Sequence, residues 1–89
     1  MNNINSRVLH LLDDSMLSNP ALEAKTGIKS TTWANLRLKK IRLNEEHLEA
    51  VIKLFPEYAY WITTGKDLPE AGQISPEIEE TRKRLSTGT

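Results

Sequence analysis

The chain has 89 residues, 38% of them hydrophobic, which suffices for one small domain with one small core. It contains no cysteine, which excludes a disulfide scaffold and every thiolate metal site, and His10 and His47 are too few and too far apart for a metal site or a triad. Twelve basic and twelve acidic residues cancel, so the charge is informative only once it is placed along the chain.

The spacing of Ile4, Val8, Leu12 and Met16, widened by Leu9 and Leu11, predicts a first helix from near Ile4 to Leu17. Ser18-Asn19-Pro20 stops it and starts a second, with Asn19 as its cap and Pro20 at the first helical position. Gly27 ends that helix after about two turns. Ile28-Lys29 makes a tight turn, and Ser30 is placed to cap a third helix from Thr31 to about Lys40. Asn44 caps a fourth, whose buried stripe is Leu48, Val51, Ile52 and Phe55, and Pro56 breaks it. Glu57 to Thr63 forms a short fifth helix carrying Tyr58, Tyr60 and Trp61, ended by Gly65.

After Gly65 the chain changes in kind. The apolar residues there are Leu68, Ala71, Ile74, Ile78 and Leu85, and Pro69, Gly72 and Pro76 punctuate it. Ser75-Pro76-Glu77 can start a last helix through about Leu85, with acids first and bases last, as the helix dipole favours. Its apolar stripe is too thin to fold alone. No segment alternates at period two, so the expected class is all-α: a compact five-helix domain over residues 1–66, followed by a polar tail, 67–89, that is flexible or ordered by a partner. No apolar run approaches the roughly 20 residues that span a membrane, and the N-terminus has no signal pattern, so a soluble cytoplasmic protein is expected.

Placed along the chain, the charges separate. Lys25, Lys29, Arg37, Lys39, Lys40 and Arg42 lie between Ala24 and Asn44 with no acid among them. A partner senses charge within about a Debye length, roughly 8–10 Å, so a basic face outweighs a neutral total. Two short helices joined by a tight glycine turn form a helix-turn-helix arrangement, whose second helix can enter a major groove. Trp33 and Leu36 give the third helix its inward side. Ser30, Thr31, Ala34, Asn35 and Leu38 fall on the opposite side, and these are mostly small or hydrogen-bonding groups suited to base edges.

The residues Leu22-Glu23-Ala24-Lys25-Thr26-Gly27-Ile28 and Ser30-Thr31-Thr32-Trp33-Ala34-Asn35-Leu36, with the close Tyr60-Trp61-Ile62-Thr63-Thr64-Gly65-Lys66, resemble the lambda-repressor/Cro-like helix-turn-helix regulators of phages and bacteria. The resemblance covers about residues 4–66. It implies a lambda-repressor-like domain and a sequence-specific, double-stranded-DNA-binding transcriptional regulator, a repressor of phage or prophage type. In that frame Lys29, Ser30 and Thr31 sit nearest the bases, and Asn35 reaches an adenine edge or a phosphate. Asn19 contacts a phosphate or braces the third helix, and Lys25, Thr32, Arg37, Lys39, Lys40 and Arg42 contact phosphates. The sequence departs from the family in two places. Glu23 stands where a small residue lets the helices approach, and Leu38-Lys39-Lys40 follows the third helix where a glycine is common. Either departure can shift the docking angle.

A domain this small touches too few base pairs for genomic specificity, so a homodimer on an inverted-repeat operator, with half-sites about 34 Å apart, is expected. Tyr58, Trp61 and Ile78 are the candidate dimer residues, although the aromatic residues of the fifth helix fit a core position equally well. Trp33 is expected in the core. The rival reading is a protein-interaction module, antitoxin-like or a polymerase-binding adaptor, acting through the aromatic helix and tail. No cofactor, metal, membrane or small-molecule ligand is expected. Nor is enzymatic activity, since Glu45, Glu46 and Glu49 cluster at a helix start without a metal ligand or nucleophile nearby.

Overall fold

The computed structural model describes residues 3–87, so the outer ends of the two expected segments, residues 1–2 and 88–89, lie outside the described residues. The fold is all-α. Helices α1 (Ile4–Ser15), α2 (Asn19–Thr26), α3 (Ser30–Arg37), α4 (Glu45–Leu54), α5 (Ala59–Thr64) and α6 (Pro76–Thr87) follow in order, with 3-10 turns at Pro56–Tyr58 and Pro69–Ala71. Among the described residues the sole extended pairing is an isolated bridge between Leu68 and Gln73. No helix among them is long and apolar enough to cross a membrane.

One core joins the first five helices. Val8, Leu11 and Leu12 of α1, Leu22 of α2, Trp33 and Leu36 of α3, Val51 of α4, and Trp61 and Ile62 of α5 form a single buried cluster. Ile4, Leu9, Ile28, Leu48, Ile52, Phe55 and Tyr58 pack around it, partly buried. The predicted stripe of α1 holds through Leu12 and fails at Met16, which caps the helix in the left-handed conformation, φ +62°, and is 89% exposed. The helix ends one residue before the four-residue repeat would return Met16 to the core.

The helix starts obey local chemistry, with two corrections. Ser18, not Asn19, caps α2: its hydroxyl accepts from the Ala21 N–H at 3.2 Å, and Asn19 becomes the first helical residue. Asn44 caps α4 as expected, and the cap is reciprocal. Its Oδ1 accepts from the His47 N–H at 2.9 Å, while Nδ1 of His47 accepts from the Asn44 N–H at 3.2 Å. This accounts for His47, which is buried with its ring 6.3 Å from that of Trp33.

Gly65 ends α5 at φ +79°, and a Cβ there would come 3.2 Å from Nη1 of Arg7. The buried Arg7 donates from Nε to the Ile62 carbonyl at 2.8 Å, satisfying an acceptor at the end of α5. The tail folds back on the domain. Gln73 accepts from the Tyr60 N–H at 2.9 Å and donates to the Pro56 carbonyl at 3.2 Å, and the Ile74 N–H donates to the Glu57 carbonyl at 2.8 Å. Ile74, Ser75 and Pro76 are buried, whereas residues 80–85 are all exposed. The segment read as flexible or partner-ordered is therefore anchored at residues 73–76 and exposed over residues 80–85.

Candidate nucleic-acid interface

Gly27, Ile28 and Lys29 join α2 to α3. Gly27 has φ +79°, and an added Cβ would meet nothing within 4 Å. The glycine is thus needed for its backbone angle, not for close approach of the helices. Thr26 braces the turn: its hydroxyl donates to the Leu22 carbonyl at 2.6 Å and accepts from the Ile28 N–H at 3.1 Å. Glu23 braces it from the other side, Oε1 accepting from the Ser30 N–H at 2.7 Å. The acid that breaks the small-residue pattern therefore caps α3 across the turn and, being exposed, leaves the helix contact undisturbed. Ser30 is not the cap expected of it. It lies inside α3, and the N-cap position falls to Lys29, which makes no side-chain cap bond.

Burial fixes the orientation of α3. Trp33 and Leu36 are 0% and 1% exposed, so the side bearing Thr31, Ala34, Asn35 and Leu38 faces outward. Thr31 is exposed, while Ser30, Thr32, Ala34 and Asn35 are half-buried. Among the described residues, the side chains of Thr31 and Asn35 form no hydrogen bond. Their donors and acceptors are available to a partner.

The helix is shorter than the expected reach to Lys40. It ends at Arg37, where the Lys39 N–H donates to the Leu36 carbonyl at 3.1 Å and the Lys40 N–H to the Asn35 carbonyl at 2.9 Å. Those two bonds close a helix through a left-handed residue. Lys39 takes that role at φ +61°, which is where the family's glycine is missing. Lys39, Lys40 and Arg42 then project from the loop, all exposed, with Lys25 and Lys29 exposed on the other side of α3. Among the described residues, none of these five cations lies within ion-pair distance of a carboxylate.

Open grooves flank this face. One is lined by Lys25, Lys29, Thr32, Glu46, Glu49 and Lys53, so its charges are mixed. The other brings Ile4, Arg7, Lys39, Lys40, Arg42 and Leu48 together, and Glu45 supplies its acid.

Arg37, read as a phosphate contact, is a tether. Its Nη2 donates to the Leu17 carbonyl at 2.9 Å and, more weakly, to that of Leu12 at 3.4 Å, tying α3 to the end of α1. Asn19 is half-buried, and its Oδ1 is buried without a hydrogen bond, which suits bracing better than reaching a phosphate. Of the candidate dimer residues, Trp61 is 4% exposed and part of the core, Tyr58 packs against that core, and Ile78 is half-buried on α6. The Tyr58 phenol is held above its ordinary range by burial first, then by Glu79, Glu57 and Asp14. Tyr58 shares a groove with Pro76, Glu79 and Lys83 of α6. Sequence reasoning missed the roles of Glu23 and Arg37 because their partners lie 7 and 20 residues away.

The structure of Pf6r, from the filamentous phage Pf6 of Pseudomonas aeruginosa, matches this chain with a TM-score of 0.84 at 36% identity, covering 96% of this chain and 99% of that one. The chain belongs to the Pf6r family. No family model and no curated protein matches it. At 96% coverage the likeness to Pf6r cannot stop at Gly65, so the segment that follows is part of the fold shared with Pf6r.

Proposed function

We propose that the chain is a sequence-specific, double-stranded-DNA-binding transcriptional regulator, a repressor of phage type that works as a homodimer on an inverted-repeat operator in the cytoplasm. The α2–α3 pair is read as a helix-turn-helix of the lambda-repressor kind. The observation that carries the reading is the outward side of α3: Thr31 and Asn35, flanked by Lys25, Lys29, Lys39, Lys40 and Arg42, none of them held by a side-chain partner among the described residues. The likeness to a filamentous-phage protein supports it.

The protein acts by occupancy and not by chemistry. Lys25, Lys39, Lys40 and Arg42 neutralise phosphates and set position, while Lys29, Ser30, Thr31 and Asn35 meet base edges and set sequence. Arg37 drops out of the phosphate set because its guanidinium serves α1. With Trp61 in the core, the dimer contact moves to α6, where Ile78 is half-buried and Leu85 is 70% exposed.

Selection of bound duplexes from a random library, at low and at high salt, tests the reading. The expected result is an inverted repeat with half-sites about one helical turn, roughly 34 Å, apart. Weak binding with no motif, lost as salt rises, would reduce the basic face to non-specific attraction.

A further inference from the structure

Single exposed leucines are ordinary on protein surfaces, so the 64% exposure of Leu38 means nothing by itself. Its position does. Thr31, Ala34, Asn35 and Leu38 stand three, four and seven residues apart, which is one line along a helix, opposite the buried Trp33 and Leu36. Eight residues make α3 about 12 Å long, comparable to the roughly 12 Å width of a major groove. Leu38 is also not a fraying end. Its N–H donates to the Ala34 carbonyl at 3.0 Å, the next two amides close the helix, and the Arg37 guanidinium beside it is tied to the Leu17 carbonyl.

The result is an isobutyl group carried on a hydrogen-bonded backbone position of the outward line of α3, followed directly by the cations Lys39 and Lys40. A leucine side chain can neither donate nor accept a hydrogen bond. In the major groove the apolar group it can recognise is the 5-methyl of thymine, which cytosine, adenine and guanine lack. We infer that Leu38 is a specificity-determining residue that selects thymine through its methyl group, one turn along α3 from the hydrogen-bonding Asn35. The inference rests on the reading of α3 as a DNA-reading helix and adds a base preference to it.

The test uses the full chain and the duplex recovered by selection. Each thymine is replaced in turn by deoxyuridine, which keeps the Watson–Crick pair and removes only the methyl. One thymine per half-site should be sensitive, its replacement weakening binding by about threefold to fivefold, the worth of one buried methyl-sized group. In Leu38→Ala that sensitivity should vanish, so that thymine and deoxyuridine duplexes bind alike. The exposed position makes the variant tolerable to the fold, and its melting curve should match that of the parent. Uracil substitution without effect at every position overturns the inference, as does a sensitivity that persists in Leu38→Ala. Failure of the parent protein to bind any duplex specifically is a different outcome, and it overturns the DNA-binding reading itself.

Discussion

Leu22, Trp33 and Leu36 of α2 and α3 are all but inaccessible to solvent, whereas among the described residues after Gly65 the buried run is Ile74–Pro76. The first region is ordered by burial in the shared core. The second is held by polar bonds: Gln73 to Tyr60 and Pro56, Ile74 to Glu57, and the Ser75 hydroxyl donating to Asp67 at 3.1 Å. The contrast teaches where function can reside. Apolar burial asks nothing of the outward side of α3, so Thr31, Asn35 and the surrounding lysines are free for a partner. In the C-terminal segment the anchoring hydrogen bonds consume the polar groups themselves, and the exposed residues 80–85 of α6 are where the proposed dimer contact falls.

The largest expected effect breaks the first region. Trp33→Ala removes the largest fully buried side chain and should cost roughly 3–5 kcal/mol, a large part of the stability of so short a chain. Chemical denaturation reads this directly, and a mutant that stays fully stable while losing only DNA binding would remove Trp33 from the core. Arg37→Ala comes next, with a loss of about 1.5–3 kcal/mol for charge-assisted bonds to carbonyls. The salt dependence of DNA binding should not change. A salt slope lowered by about one would return Arg37 to the phosphates.

Lys39→Gly has the opposite sign. Relief of the left-handed strain, less the entropy glycine loses on folding, should stabilise the domain by about 0.5–1 kcal/mol. The same change should lower the salt slope of binding by about one. A destabilised variant would mean that the lysine side chain contributes more to the loop than its backbone angle costs.

The smallest effect probes the groove where the core meets the second region. The phenol of Tyr58 titrates above its ordinary 10.0 in the folded chain. The folded state therefore holds this proton more tightly than the unfolded one. The corresponding stability is fully present below pH 10.0 and declines as pH rises through the folded value. Tyr58→Phe should flatten this alkaline decline in urea titrations taken on either side of that pH, and an unchanged decline would assign it to other groups.

Much of this was legible in the sequence wherever the cause was local. Gly27, Gly65 and Asn44 end or start helices through bonds to residues at most four positions away, Pro56 ends one by lacking an N–H, and the inward pair Trp33 and Leu36 follows from helical period alone. The cap of α2 was misplaced by one residue because Ser18 and Asn19 are both good caps and the chain uses the first. The reach of α3 was overestimated because no glycine marks its end, and Lys39 adopts the glycine conformation unannounced. Glu23, Arg37 and Gln73 were illegible for a different reason. Each acts on a residue brought near only by the tertiary fold, at separations of 7, 20 and 17 residues.

In the proposed function the outward side of α3, with the loop after it, meets duplex DNA. Amide chemical-shift mapping of the full chain against the selected duplex tests it most directly. The perturbed amides are expected to cluster at Lys25, at residues 29–35 and at residues 38–42, with residues 66–75 unmoved. Perturbations concentrated in the C-terminal segment, with α3 silent, would contradict it.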